Sequence, residues 1–371
     1  MRANRRLVYA VVSSGLAIVF ALLVSAVILA VSGNNPFEAY GQMFEYGVRV
    51  DSLASAVNRA VPLYFSAMAV ALGFKMGLFN IGVEGQYRIA VLIAAAVGAA
   101  IALPGPLHVL AIILTAMAVG AAWSGFAGYL KVKRGVHEVI STIMLNYVAT
   151  GMGAFLLANW LRQENPPGDL VIKTPEIPES GRLPSLNQVL EWVGLDPGRV
   201  NLYGMAVLAV VAGFGFHVLI NHTRFGFELR ASGASAGAAR TAGIDPGRMV
   251  VLTMVISGAI AGLVGMAHLL GFFHRYTIDF PTMLGFTGIA VALLGRNHPA
   301  GMAAGALLFG WFDRATQILD LRGIPKEIVF ILQGVILLSV VVAYAVVEVR
   351  IRAAESRAVT GALRPGAEEE S

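Results

Sequence analysis

Ten apolar runs, separated by short stretches that carry most of the Lys and Arg, take up most of this chain. They lie at about 7–32, 53–74, 87–103, 107–130, 138–160, 202–221, 249–270, 284–295, 300–318 and 327–347. About 20 consecutive apolar residues let an α-helix cross the hydrocarbon core, where every backbone polar group must be bonded within the helix. The pattern predicts an all-α integral membrane protein of about ten transmembrane helices. Composition agrees: 13% of residues are charged, against about 25% in soluble domains. The 42 glycines suit helices whose backbones approach closely. Residues 1–350 therefore read as a single transmembrane domain, and 351–371 as a charged tail ending in Glu368, Glu369 and Glu370.

The first run follows Arg2, Arg5 and Arg6 and has small residues at Ala30 and Ser32, as a signal peptide would. It is longer than the apolar core of about 7–15 residues that signals use, so it reads as a retained span. The eighth run is too short to cross comfortably; it is either re-entrant or borrows residues from the loop before it.

With the N-terminus inside, 17 Lys/Arg fall in cytoplasmic stretches, Lys75 and Arg88 among them, and nine fall outside, Arg59 among them. That excess sets the orientation and puts both termini in the cytoplasm. It also explains a pI near 9.5 without a nucleic-acid partner; the surface the chain meets is membrane lipid. The longest external loop, 162–200, is rich in proline and too polar to insert, and its run 186–193 is expected to form a short surface helix. There are no cysteines, which excludes disulfides and thiolate chemistry.

Four segments depart from bulk hydrophobicity. In Gly73–Gln86, four glycines with Lys75, Asn80, Glu84 and Gln86 interrupt two apolar helices. Two readings fit: a broken helix beside a transport path, or a cytoplasmic turn with Glu84 capping the helix that follows. In Gly135–Tyr147, the residues Glu138, Ser141, Thr142 and Asn146 recur at helical spacing. Lipid would not tolerate that stripe, so it faces other helices or a cavity. The stretch Thr223–Met249 is long and rich in alanine and glycine, with Arg230 and Arg240 among them, and suits short helices that dock a cytosolic partner. Gly285–Gly301 is an apolar half-span broken by Gly and Pro in the opposite half of the chain from the first segment. Paired interruptions of this kind point to a transport pathway. Asp313 and Arg314, near the outer end of the ninth run, read as a locally paired, snorkelling set.

No Gly-x-x-x-x-Gly-Lys-Ser/Thr loop or His-Glu-x-x-His pair occurs, and the Gly-x-Ser-x-Gly match at Gly233–Gly237 falls inside the alanine- and glycine-rich 223–249 stretch with no apolar strand pattern before it, so the sequence reads as offering neither a P-loop nor catalytic or metal-ligating residues. His217 and His268 read as lone packing histidines. Acidic residues inside the runs are too sparse for an ion-coupled secondary transporter of a small polar solute, which is the rival reading, and no set suits an intramembrane enzyme.

The four segments resemble the permease subunits of bacterial ABC importers of the branched-chain amino acid, ribose and nucleoside group. Phe79-Asn-Ile-Gly-Val-Glu-Gly-Gln86 looks like that family's Asn-Ile-Gly-x-Glu-Gly element. Glu138-Val-Ile-Ser-Thr-Ile-Met-Leu-Asn-Tyr147 is similar to a feature of its nucleoside and simple-sugar branch. Ala231–Ile244 and Gly285–Pro299 match in type and order. The resemblance implies a bacterial inner-membrane protein with no cofactor of its own and ATP and magnesium used by a cytosolic ABC ATPase. It further implies a second permease, a different chain in the nucleoside branch, and an extracytoplasmic binding protein that delivers a nucleoside or simple sugar. It makes the 223–248 loop the carrier of the coupling helix, with Phe227, Glu228, Arg230, Ala238 and Gly243 at the ATPase. It makes Asn80, Glu84, Gln86, Glu138, Thr142 and Asn146 candidates for the translocation path. The aromatic, basic segment Phe272–Tyr276 maps onto no family motif.

Overall fold

The computed structural model describes residues 19–20, 22–164, 166, 168–192, 194, 196, 198, 200–325, 327, 328, 331, 332, 334, 335, 338, 339 and 342. Most of the tenth run, all of the 351–371 tail and the N-terminal part of the first run lie outside the described residues. Among the described residues the regular structure is helical, and strand pairing is limited to two isolated antiparallel bridges, Lys173 with Thr277 and Ser185 with Tyr203.

The chain divides into two units, Gly47–Ala315 and Met1–Tyr46 with Thr316–Ser371. In the second of these, α1 (Leu22–Val31) and α2 (Pro36–Gly47) meet at a bend of 119°. The Tyr40 hydroxyl donates to the Leu22 carbonyl at 2.7 Å across that bend. The short α15 (Gln317–Leu321) belongs to the same unit.

The larger unit is a bundle of α3 (Val50–Lys75), α4 (Val83–Ala100), α5 (Gly105–Arg134), α6 (Glu138–Asn159), α7 (Asn187–Trp192), α8 (Met205–His222), α9 (Arg224–Ala234), α10 (Ala236–Thr241), α11 (Pro246–Gly262), α12 (Met266–His268), α13 (Leu284–Leu294) and α14 (Pro299–Ala315). Helix starts follow local chemistry. Asp245 accepts from the Gly247 and Arg248 amides ahead of Pro246, Thr223 caps α9, and Ser235 caps α10. α12 runs on into a π turn at Leu269–Phe273, so that Pro246–Phe273 makes one apolar span.

Among the described residues six helices are long and apolar enough to cross a membrane, or seven if α1 and α2 form one bent span. The chain is a multi-pass membrane protein. α13 has only 11 residues, as the short eighth run predicted.

Every residue of α3 from Ala60 to Gly73 is buried, which makes it the central helix, apolar all round because protein surrounds it. α6 and α8 instead expose large apolar side chains such as Met144, Val148, Phe155, Val210 and Phe214, as suits helices facing lipid or another subunit. The most extensive helix contact joins α5 to α11. Ala116, Gly120, Ser124 and Gly128, four residues apart on α5, stand against Met254, Gly258 and Gly262. This is the small-residue contact that replaces hydrophobic drive inside a bilayer.

Of the charges counted as loop residues, Arg59 lies well inside α3 and Arg88 in the second turn of α4. Removing one from each side leaves the inward excess of Lys/Arg in place.

Candidate functional site

α3 ends at Lys75, and the chain turns back through residues 76–82 before α4 begins. The Met76 and Leu78 amides both close onto the Gly73 carbonyl, at 2.9 Å each. Asn80 holds the turn from inside. Its Oδ1 accepts from the Gly82 amide at 3.0 Å and from Gln86 Nε2 at 2.9 Å, and its Nδ2 donates to Ser257 Oγ at 2.9 Å. Ser257 Oγ in turn donates to the Ala69 carbonyl at 2.6 Å. Asn80 and Gln86 are buried, and their bonds tie α3, α4 and α11 together.

Glu84, one turn further on, caps a helix other than its own. Its Oε1 accepts from the Met283 amide and its Oε2 from the Gly285 amide, each at 2.9 Å, so the carboxylate closes the start of α13. A negative group is favourable there because the first amides of a helix lack partners and carry its positive dipole end. The Tyr87 hydroxyl lies 2.9 Å from both Glu84 Oε1 and the Pro281 carbonyl. The first and fourth interrupted segments therefore meet directly. The alternative of Glu84 capping α4 gives way to this contact, since α4, preceded by Gly82 at its N-cap position, has no side-chain cap.

The polar stripe of α6 faces the same turn. Glu138 pairs with Lys131 Nζ at 2.5 Å and accepts weakly from the Phe79 amide at 3.4 Å. Asn146 Oδ1 accepts from the Gly85 amide at 2.8 Å, and its Nδ2 donates to the Ile81 carbonyl at 3.0 Å. The Ser141 and Thr142 hydroxyls bond back to the Glu138 carbonyl. The six path candidates are thus brought into one buried region, where every one of them has hydrogen-bond partners inside the chain.

Beside that region a cavity of about 190 Å³ opens between α4, α6 and the segment after α12. Arg88 lines it with Thr150, Gly153, Ala154 and Leu157 of α6 and with Tyr276 and Ile278. Sequence reading missed Arg88 by counting it as a loop charge, although the run from 87 already enclosed it. Its position four residues after Glu84 on one helix was the available signal.

In the 223–248 stretch, α9 and α10 form two short helices. Phe227, Arg230, Ala238 and Gly243 are exposed, and Glu228 is half-buried and pairs with Arg224 at 2.6 Å. Arg230 donates to the Ile220 carbonyl at the end of α8. Gly233 rests against Lys75 and Met76, where α3 ends. His217, read as lone, has the rings of His222 and His298 beside it, with centroids 5.6 and 6.0 Å away.

Asp313 pairs with Arg59, and Arg314 lies 3.6 Å from Asp51, so the charges of the ninth run are matched by α3. The unmapped segment Phe272–Tyr276 is bound to the 162–200 loop. The Thr174 amide donates to the Tyr276 carbonyl at 2.9 Å and the Ile177 amide to the His274 carbonyl at 2.8 Å. Glu176 bridges Arg182 and Arg275. Burial and the nearby Arg182 guanidinium hold the His274 imidazole below its usual range.

A family model for the permease component of branched-chain amino acid transport systems matches residues 52–341. The guanosine ABC transporter permease protein NupP of Bacillus subtilis is 35% identical, over 89% of this chain and 93% of its own. The glucose ABC transporter permease protein TsgB13 of Haloferax volcanii is 31% identical, over 88% and 86%. The nucleoside ABC transporter permease protein NupB of Lactococcus lactis is 29% identical, over 89% and 90%. No solved structure matches. With a family match across most of its length and relatives aligned nearly end to end, the chain belongs to the branched-chain amino acid transport system permease family.

Proposed function

We propose that this chain is the permease subunit of an ATP-driven ABC importer in a bacterial inner membrane. It passes a nucleoside, or failing that a simple sugar, delivered by an extracytoplasmic binding protein. Relatives whose names specify guanosine, nucleosides and glucose support the solute class. A second permease of different sequence is supported by NupP and NupQ of Bacillus subtilis, both guanosine ABC transporter permease proteins that align with this chain. The reading has ten spans with both termini in the cytoplasm, and ATP with magnesium bound by a separate ATPase.

The observation that carries the proposal is the α9–α10 pair. It presents Phe227, Arg230, Ala238 and Gly243 outward while Arg230 ties it to the end of α8 and Gly233 rests on the end of α3. On this reading α9 is the coupling helix. Motion of the ATPase pair reaches the spans through α8 and through the 76–82 turn, and access alternates between the two sides. Glu84 favours this over an ion-coupled carrier, because its oxygens are already occupied by the α13 amides and Tyr87.

Affinity purification of the tagged chain from native membranes in mild detergent, followed by mass spectrometry, tests the assembly. Stoichiometric recovery of a P-loop ATPase, a second permease and a binding protein is expected. Recovery of the chain alone, under conditions that keep comparable complexes intact, would overturn the reading in favour of a secondary transporter. A second test addresses coupling: with Glu228 and Arg230 both replaced by alanine, ATP hydrolysis should persist while uptake falls about tenfold, a usual size for losing a coupling contact. Full uptake in that double variant would remove α9 from the coupling role.

A further inference from the structure

Arg88 stands out among the charged groups of the larger unit. Arg59 and Arg314 lie in helices of the same bundle, and each has an aspartate beside it. Among the described residues Arg88 has no carboxylate within ion-pair distance, although Glu84 lies one turn away on the same helix, with both oxygens held by the α13 amides. The contacts of Arg88 are hydroxyls: Thr150 Oγ1 at 3.4 Å and the phenol of Tyr276. Its Nε is buried without a partner. The Arg88 side chain borders the 190 Å³ cavity with no carboxylate beside it to neutralise its charge. An ionised group at membrane depth persists where protein or a wet cavity solvates it, and it marks solute pathways.

We infer that Arg88 is a specificity-determining residue of the transport path, reading paired hydrogen-bond acceptors on the passing solute. This deepens the nucleoside reading above and rests on it. A guanidinium is a planar fork of donors with no acceptor, so it selects a solute edge that offers two acceptors side by side. The O6/N7 edge of a 6-oxopurine is such an edge, and arginine pairs with it in two parallel bonds. Adenine presents N7 as an acceptor but a donor at the adjoining amino group, so it can satisfy only half the fork. Ribose alone has hydroxyls that both donate and accept, and it gives the fork no fixed register. The lining suits a ring: Gly153, Leu157 and Ile278 supply apolar surface, while Thr150 and Tyr276 contact the guanidinium.

The test is uptake of labelled inosine, adenosine and ribose in cells that express the complete importer with wild-type chain, Arg88→Gln or Arg88→Lys. In the wild type, inosine and adenosine should both enter. In Arg88→Gln the ratio of inosine to adenosine uptake should fall about tenfold, as expected for losing one bidentate pair. The ratio is independent of how much protein reaches the membrane. Arg88→Lys, which keeps the charge but not the fork, should lose the same discrimination and covers the case in which the glutamine variant does not accumulate. An unchanged ratio in an importer that does carry nucleosides overturns the role of Arg88 and leaves the nucleoside reading standing. Ribose uptake without nucleoside uptake in the wild type overturns both. A variant that loses uptake of all three solutes equally, with the ratio intact, assigns Arg88 to structure and overturns the inference.

Discussion

Replacing Glu84 with alanine is expected to abolish uptake and to destabilise the purified chain by about 3–6 kcal/mol, from two hydrogen bonds to a charged acceptor at about 1.5–3 kcal/mol each. The Gly285 amide would be left buried with no acceptor and the part-buried Met283 amide would lose its bond, at the start of a helix only 11 residues long. A helix of that length has little intrinsic stability and relies on its caps and its packing. The replacement cannot be rescued by Gly285 moving closer, because its Cα already rests against the Glu84 backbone, so closely that a methyl group there would overlap it. Glu84→Gln keeps one acceptor oxygen and turns an amide nitrogen toward a backbone N–H, so it should fall between wild type and alanine. Thermal unfolding in detergent, read beside uptake, checks the order. Wild-type melting and uptake in Glu84→Ala would mean that the carboxylate does not hold α13.

The second large effect is expected at Gly258. A Cβ there would fall on the Gly120 carbonyl and the Ser124 side chain, and a backbone carbonyl in mid-helix has no rotamer by which to yield. Gly258→Ala should cost about 1–3 kcal/mol, the usual price of overpacking. Gly258→Leu should separate α5 from α11 and prevent stable accumulation in the membrane. The separation would reach the 76–82 turn as well, since Ser257 on the same helix is bonded to both Asn80 and the Ala69 carbonyl. Immunoblots of membrane fractions and melting of the purified variants decide it. A Gly258→Leu chain that accumulates and melts like wild type would show that the close approach carries no stability.

Much of this architecture is legible in the residues alone. Hydropathy located α3, α4, α5, α6, α8 and the Pro246–Phe273 span to within a few residues, because a bilayer imposes a length and a composition that local sequence must satisfy. The shortness of α13 was visible for the same reason. The partner of Glu84 was not, since the chain shows where a helix breaks but not which distant amide the break faces. The polar stripe of α6 likewise left lining and packing both open, and only the bonds from Asn146 to Gly85 and Ile81 show what it touches in this conformation. Arg88 was lost to an assumption that charges belong to loops. The geometry replaces that assumption with a guanidinium on a cavity wall.

One consequence follows from how the segment before α13 is fastened. At Tyr276 its backbone is bonded in both directions to Thr174 of the 162–200 loop, and at Met283 it is bonded to Glu84. Six residues lie between these anchors, and the connection from one to the other can extend to at most about 25 Å. Phe280 uses part of that reach, because its amide closes a turn onto the Thr277 carbonyl at 3.1 Å. A connection this short has little slack. Any displacement of the loop larger than the slack must either carry the start of α13 with it or pull Met283 off the carboxylate, so the bundle has a lever between its surface loop and its interior half-helix.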